Sequence, residues 1–176
     1  MNELSKRKTP RYQSFDYNSA AVYFITICTE NRRPLLSHIV GTGVPDCPQT
    51  ELTKYGKVAE KYIEQLNEFY DYLSVEKYVI MPNHIHLLLW VKNNRSESDS
   101  GQSRTPVPTR VSRANSTCSQ FVSTLKRFCN KEYGGNIWQA RFYDHIIRNR
   151  KDYEVHLKYI HENPARWYLD ELYSDE

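Results

Sequence analysis

No stretch of the 176-residue sequence approaches the ~20 consecutive apolar residues that a membrane-spanning helix requires. The basic N-terminus, MNELSKRKTPRY, is not followed by a continuous apolar segment either, because Tyr23, Thr26 and Thr29 interrupt Ser19 to Thr29. That points away from export. There is no Cys-x-x-Cys pair: Cys28, Cys47, Cys118 and Cys129 are scattered, which argues against a disulfide framework and against a zinc ribbon. Acidic residues are missing altogether from Gly101 to Lys131, where Arg104, Arg110, Arg113, Lys126, Arg127 and Lys131 stand unopposed. The N-terminal arm adds Lys6, Arg7, Lys8 and Arg11, while acidic residues gather in the last positions, Asp170 to Glu176. A net charge of only +3 therefore conceals a segregation of cations that either grips phosphates or is simply a solvated loop and arm.

What is present is ordinary for a folded domain. Charged residues make up 26% and hydrophobic ones 39%, and the length suits one domain, 1–176, with a real core. VYFITICTE alternates aromatic and β-branched residues and reads as a central strand, Val22 to Thr29. GTGVPDCPQ, residues 41–49, is rich in turn-formers and separates that strand from an amphipathic helix marked by Leu52, Tyr55, Ala59, Tyr62, Leu66 and Phe69. YLSVEKYVIM reads as a strand turning through Pro-Asn-His into the next strand, an antiparallel hairpin. The polar, Gly- and Pro-punctuated stretch 93–115 predicts a long mobile loop.

A second helix follows, capped by Ser116 or Thr117, with Phe121, Val122, Leu125, Phe128 and Cys129 on its apolar face and Gly134-Gly135 at its end. Lys126, Arg127 and Lys131 occupy its other face. A strand from Tyr143 to Ile147 leads to a last helix, capped by Asn149 and stopped by Pro164. The order β, α, β-hairpin, α, β, α predicts an α+β fold, an antiparallel sheet with helices packed on it.

MPNHIHLLLW holds the chemistry. Side chains of a strand alternate, so His84, His86, Leu88 and Trp90 face one way and Ile85, Leu87, Leu89 and Val91 the other. Two neutral imidazoles side by side on a rigid strand suit a divalent metal. A strand histidine is more often a hydrogen-bonded structural residue, so a third ligand has to be found. On the last helix, Tyr153, Leu157 and Ile160 share the face that packs on the sheet, and Tyr159 and Asn163, one turn apart, lie on the flank with His156 nearby. Taken singly, that tyrosine is an edge-of-core residue and that asparagine a helix terminator. Together with the histidines they make a device: a phenol that attacks phosphorus, beside an ion held by two imidazoles and an amide oxygen.

His84-Ile85-His86 resembles the histidine-hydrophobe-histidine motif of the HUH single-strand endonucleases. VIMPNHIHLLLW, IWQARFYDHIIRNRKDY and YIHENP together resemble the REP-associated tyrosine transposases, over a span from Tyr23 to Trp167. That resemblance implies a ferredoxin/RRM-like HUH fold with Tyr159 as nucleophile. It also implies His84, His86 and Asn163 as ligands of Mg²⁺ or Mn²⁺, with His156 close behind them. The implied activity is a site-specific endonuclease and strand transferase, a transposase acting on single-stranded DNA beside an imperfect, palindromic hairpin through a 5′-phosphotyrosine link. The implied setting is the cytoplasm and nucleoid of a bacterium or archaeon, and such transposases work as a homodimer or as a monomer. The basic residues of the arm, of the 93–115 loop and of the second helix become candidates for holding the hairpin backbone. Two other classes compete: a DNA-hairpin-binding protein that keeps the fold without turnover, and a metal-dependent phosphodiesterase that uses water.

Overall fold

The computed structural model describes residues 20–41, 48–92 and 117–174. The basic arm with Lys6, Arg7, Lys8 and Arg11, the centre of the 41–49 segment, and the 93–115 loop with Arg104, Arg110 and Arg113 lie outside the described residues.

Six strands and three α-helices are described in the order β1 (Ala21–Cys28), β2 (Ser37–Val40), β3 (Gln49–Leu52), α1 (Lys54–Phe69), β4 (Leu73–Ile80), β5 (His84–Val91), α2 (Thr117–Tyr133), β6 (Tyr143–Ile147) and α3 (Arg150–Glu162). Four strands form an antiparallel sheet in the order β4-β5-β1-β6. The expected α+β architecture is therefore the observed one, with β1 and the histidine strand β5 at its centre. In the β1–β5 register Thr26 stands opposite His86 and Cys28 opposite His84.

One expectation fails locally. The segment after β1 is more than a turn: β2 and β3 pair as a two-stranded antiparallel ribbon, Ser37 opposite Leu52 and Val40 opposite Gln49. Leu52 ends that ribbon instead of starting the helix. Thr53 is the helix cap, its Oγ1 accepting from the backbone N–H groups of Tyr55 and Gly56 while donating to the Leu35 carbonyl at 2.6 Å. Gly56 is required there, because a Cβ would overlap the carbonyl oxygen of Leu36.

The alternation of β5 sorts the protein into layers. Ile85, Leu87, Leu89 and Val91 join Tyr23, Ile25 and Ile27 of β1 in the main core, covered by Ala59, Ile63 and Leu66 of α1 and Phe121, Val122, Leu125 and Cys129 of α2. On the opposite face Phe24 and Leu88 meet Ile160, Tyr153 and Leu157 of α3 in a smaller cluster. α2 ends where Gly134 takes φ +75°, the left-handed turn that the double glycine predicts. Asn149 caps α3 by accepting from the Asp152 N–H at 2.9 Å. Thus the histidines of β5 and the tyrosine of α3 share the sheet face opposite to α1 and α2.

Candidate active site and metal centre

His84 and His86 begin β5 and are 0% and 3% exposed. Burial drives the His84 imidazole down to about 3, with the Arg32 charge adding to the effect. His86 is also held well below its ordinary value, again by burial first and by its neighbour His84 second. Both rings are therefore neutral at physiological pH. The Nδ1 of His84 lies 2.7 Å from Asn83 Oδ1, and an amide oxygen only accepts, so Nδ1 carries the proton and Nε2 a bare lone pair. The Nδ1 of His86 pairs with Thr26 Oγ1 at 2.9 Å; a hydroxyl both donates and accepts, and in the tautomer whose Nδ1–H donates to that oxygen, the His86 Nε2 carries a lone pair as well. The rings stand 4.3 Å apart between centroids, at 65°.

Asn163, where α3 gives way to a short 3-10 turn, Pro164–Leu169, is buried at 3% exposure. Its Nδ2 donates to Asp170 Oδ2 at 2.9 Å. Among the described residues, His84 Nε2, His86 Nε2 and Asn163 Oδ1 are buried without any hydrogen-bond partner. Leaving a buried polar atom unpaired costs about 1–3 kcal/mol, and three such acceptors with no donor form a donor set that fits a cation. The residues present therefore fit the divalent metal that the family resemblance implies.

The sequence marks Asp170 only as the start of an acidic run, not as a site residue. Its carboxylate comes within 4.8 Å of ligand nitrogens on both His84 and His86. Its Oδ2 also accepts the Tyr159 hydroxyl at 2.8 Å. The only signal in the sequence was an acidic residue shortly after the tyrosine helix, which read as part of a charged tail. The following segment is held against the site by Asn83, whose Nδ2 donates to the Leu172 carbonyl at 2.7 Å and to Ser174 Oγ at 3.0 Å.

Tyr159 is 38% exposed, and its ring centroid lies 5.2 Å from that of His86. Burial, and then the hydrogen bond to Asp170, raise its pKa above the ordinary phenol value. The phenol is therefore fully protonated and a weak nucleophile in this state. A cleft of about 730 Å³ opens beside it, bounded by Phe24, Arg141, Phe142, Tyr143 and Val155.

Tyr159, His84, His86 and Asn163 are thus brought together, and His156 sits one layer away, separated from His86 by the ring of Phe24. The basic residues of α2 are not part of this assembly. Arg127 and Lys131 are exposed on a helix packed against the other face of the sheet. Lys126 donates its ammonium to the carbonyls of Gln139 and Arg141, at 2.7 and 3.2 Å, and burial lowers its pKa to about 8.

An antiparallel sheet that sets a histidine pair against a tyrosine helix is the arrangement implied by the resemblance to tyrosine transposases, and comparisons with known proteins carry that class further. An uncharacterised Haemophilus influenzae protein is 30% identical over 183 residues, covering 98% of this chain and 96% of the relative. A second Haemophilus influenzae protein, assigned as a REP-associated tyrosine transposase, is 30% identical over 162 residues, 91% of this chain and 79% of the relative. The REP-associated tyrosine transposase of Escherichia coli is 34% identical over 93 residues, 53% of this chain and 45% of the relative. A solved structure of a REP-associated tyrosine transposase bound to a REP hairpin shares the fold, with a TM-score of 0.61 and 23% identity over 89% of this chain and 73% of that one. No protein-family model matches the chain. The chain belongs to the REP-associated tyrosine transposases.

Proposed function

We propose that this protein cleaves and rejoins single-stranded DNA beside an imperfect hairpin, with Tyr159 as nucleophile and His84, His86 and Asn163 holding a divalent ion, Mg²⁺ or Mn²⁺. The observation that carries the reading is the convergence of three partnerless buried acceptors with a tyrosine hydroxyl that is already bound to a neighbouring carboxylate, 2.8 Å from Asp170 Oδ2. The hairpin preference rests on the similar protein that was solved bound to a REP hairpin.

A metal at this site would act as a Lewis acid, offsetting the charge of the scissile phosphate. The chain's own residues do the rest. The Tyr159 oxygen attacks phosphorus, the bond from phosphorus to the 3′ oxygen breaks, and the products are a 5′-phosphotyrosine and a free 3′-hydroxyl. Asp170, which accepts the hydroxyl hydrogen bond, is positioned to take the phenolic proton, and the departing 3′ oxygen takes up a proton from solvent to become the hydroxyl. Asp170 also accepts from the Asn163 amide nitrogen, which leaves the amide oxygen available to an ion. Attack by the 3′-hydroxyl on the phosphotyrosine reverses the step, so no nucleoside triphosphate is needed. Packing of α3 on Phe24 and Leu88 supplies the orientation.

The test is incubation of end-labelled hairpin DNA with the protein and Mn²⁺, followed by denaturing electrophoresis. The expected product is a protein adduct that retains the 3′ label and releases the 5′ label, and that disappears in Tyr159→Phe. Cleavage without an adduct would replace strand transfer by a water-using phosphodiesterase. Hairpin binding without cleavage at any metal concentration would leave only a binding protein.

A further inference from the structure

A second cluster of metal-binding side chains lies on the far side of Phe24. His145 of β6, opposite Phe24 in the β1–β6 register, directs its Nε2 at the Asp152 carboxylate, 3.0 Å from Oδ2 and 3.2 Å from Oδ1. His156, one turn after Asp152 on α3, places Nδ1 3.2 Å from the same carboxylate. The three ligand atoms all lie within 4.8 Å of one another. The imidazole rings are nearly parallel, 19° apart with centroids at 4.7 Å, and both side chains are only partly exposed.

We propose that His145, Asp152 and His156 form a second metal site, for a transition ion of the zinc type completed by water, that clamps β6 to the tyrosine helix. Three observations favour an ion over a plain hydrogen-bond network. The His145 N–H is shared between both carboxylate oxygens, and shared bonds are bent and weak, while the His156 Nδ1 stands 3.2 Å from the same carboxylate although its N–H donates to the Asp152 carbonyl at 2.8 Å. The separations from the carboxylate to the two imidazoles, 3.0 and 3.2 Å, are close to the ~3.3 Å between donors of tetrahedral zinc, whose bonds are about 2.0–2.1 Å. The site is also prefixed from both sides. Asp152 accepts the Arg148 N–H at 3.0 Å and its own N–H is capped by Asn149, while His145 is fixed by the sheet. Binding would replace the shared His145 proton by a dication and forfeit the His156 bond to the Asp152 carbonyl.

Donor chemistry separates the two sites. Two imidazoles and one carboxylate suit zinc, cobalt, nickel or iron, whereas the centre at His84 and His86 adds the amide oxygen of Asn163, a donor tolerant of Mg²⁺ and Mn²⁺. Asp152 and His156 precede Tyr159 by two turns and one turn of α3, so an ion here would fix the helix that carries the nucleophile. The proposal concerns binding alone and stands apart from the strand-transfer reading.

The test is calorimetric titration of the chelator-treated full-length protein with Zn²⁺, and with Co²⁺ as a spectroscopic reporter. The variant His84→Ala/His86→Ala, which lacks the first centre, should still take one equivalent. Loss of an outer partner of a metal ligand costs about 10–100-fold in affinity, so removing a ligand by His145→Ala in that background should weaken binding at least about 100-fold. Asp152→Asn, which keeps an acceptor for the Arg148 N–H, should weaken it as well. No binding to the double variant, or binding that His145→Ala and Asp152→Asn leave unchanged, overturns the site. If the double variant does not fold, the decision falls to the wild-type background: one equivalent fewer in His145→Ala supports the clamp, and equal stoichiometry refutes it.

Discussion

Acidification of the metal-free protein from pH 7 to pH 5 is expected to remove about 2 kcal/mol of folding stability through His84, and up to about 4 kcal/mol through the His84–His86 pair. Both imidazoles are buried and held below their ordinary value of 6.5, His84 at about 3. In the unfolded chain they take up protons as the pH falls through 6.5, while in the folded protein they stay neutral. A depressed folded pKa gives stability that is intact above the unfolded value and is lost as the pH falls toward the folded one. At pH 5 the solution lies about 1.5 units below the unfolded value of each histidine, which at 1.36 kcal/mol per unit is about 2 kcal/mol for His84 and up to about 4 for the pair. Set against a typical total of about 5–15 kcal/mol, that is a large fraction. The assay is urea unfolding followed by circular dichroism at half-unit pH steps in EDTA. The same series on His84→Gln/His86→Gln isolates the pair from every other titrating group. The difference between the two proteins should steepen below pH 6, toward a limit of about 3 kcal/mol per pH unit when both rings stay neutral in the folded state. A difference that stays flat between pH 7 and pH 5 would refute the claim that these rings are buried neutral, and with it the bare lone pairs that make them ligands.

Three further outcomes follow from named contacts. Gly56→Ala forces a Cβ onto the Leu36 carbonyl and should cost at least about 1–3 kcal/mol in chemical denaturation, despite the better helix propensity of alanine. Asn163→Asp sets a second carboxylate against Asp170, so the metal-free melting temperature should fall while the rise on adding Mn²⁺ grows, both read by differential scanning fluorimetry. Lys126→Met leaves the Gln139 and Arg141 carbonyls without their donor and should destabilise by about 1–3 kcal/mol; a change in DNA affinity with unaltered stability would assign Lys126 to the nucleic-acid surface instead.

The sequence made most of the sheet readable because long, strongly alternating strands such as VYFITIC and HIHLLLWV admit few other structures, and the face assigned to His84 and His86 is the one observed. The α3 flank carrying Tyr159 and Asn163 was equally legible from helical spacing. The β2–β3 ribbon was not, because four-residue strands around a Gly- and Pro-rich connection carry too little periodicity to outweigh their turn-formers. Asp170 escaped for a different reason. It lies beyond the proline that ends α3, and only the 3-10 turn over Pro164–Leu169 brings it back onto the tyrosine. Lys126, opposite the apolar face of its helix, reads as solvent-facing, whereas its ammonium reaches the neighbouring backbone carbonyls of Gln139 and Arg141.

The two sides of the sheet are anchored unequally. α1 and α2 share a broad core with β1 and β5, whereas α3 is held by a smaller set of side chains around Phe24, Leu88 and Ile160 and by the contact of Asp152 with His145 of β6. A helix so lightly moored should open as a unit of its own, and its backbone amides should exchange with deuterium well before those of β1 and β5. Since Tyr159 and Asn163 both ride on or at the end of that helix, one excursion would carry nucleophile and amide away from the imidazoles at once, disarming the centre while the sheet stays intact.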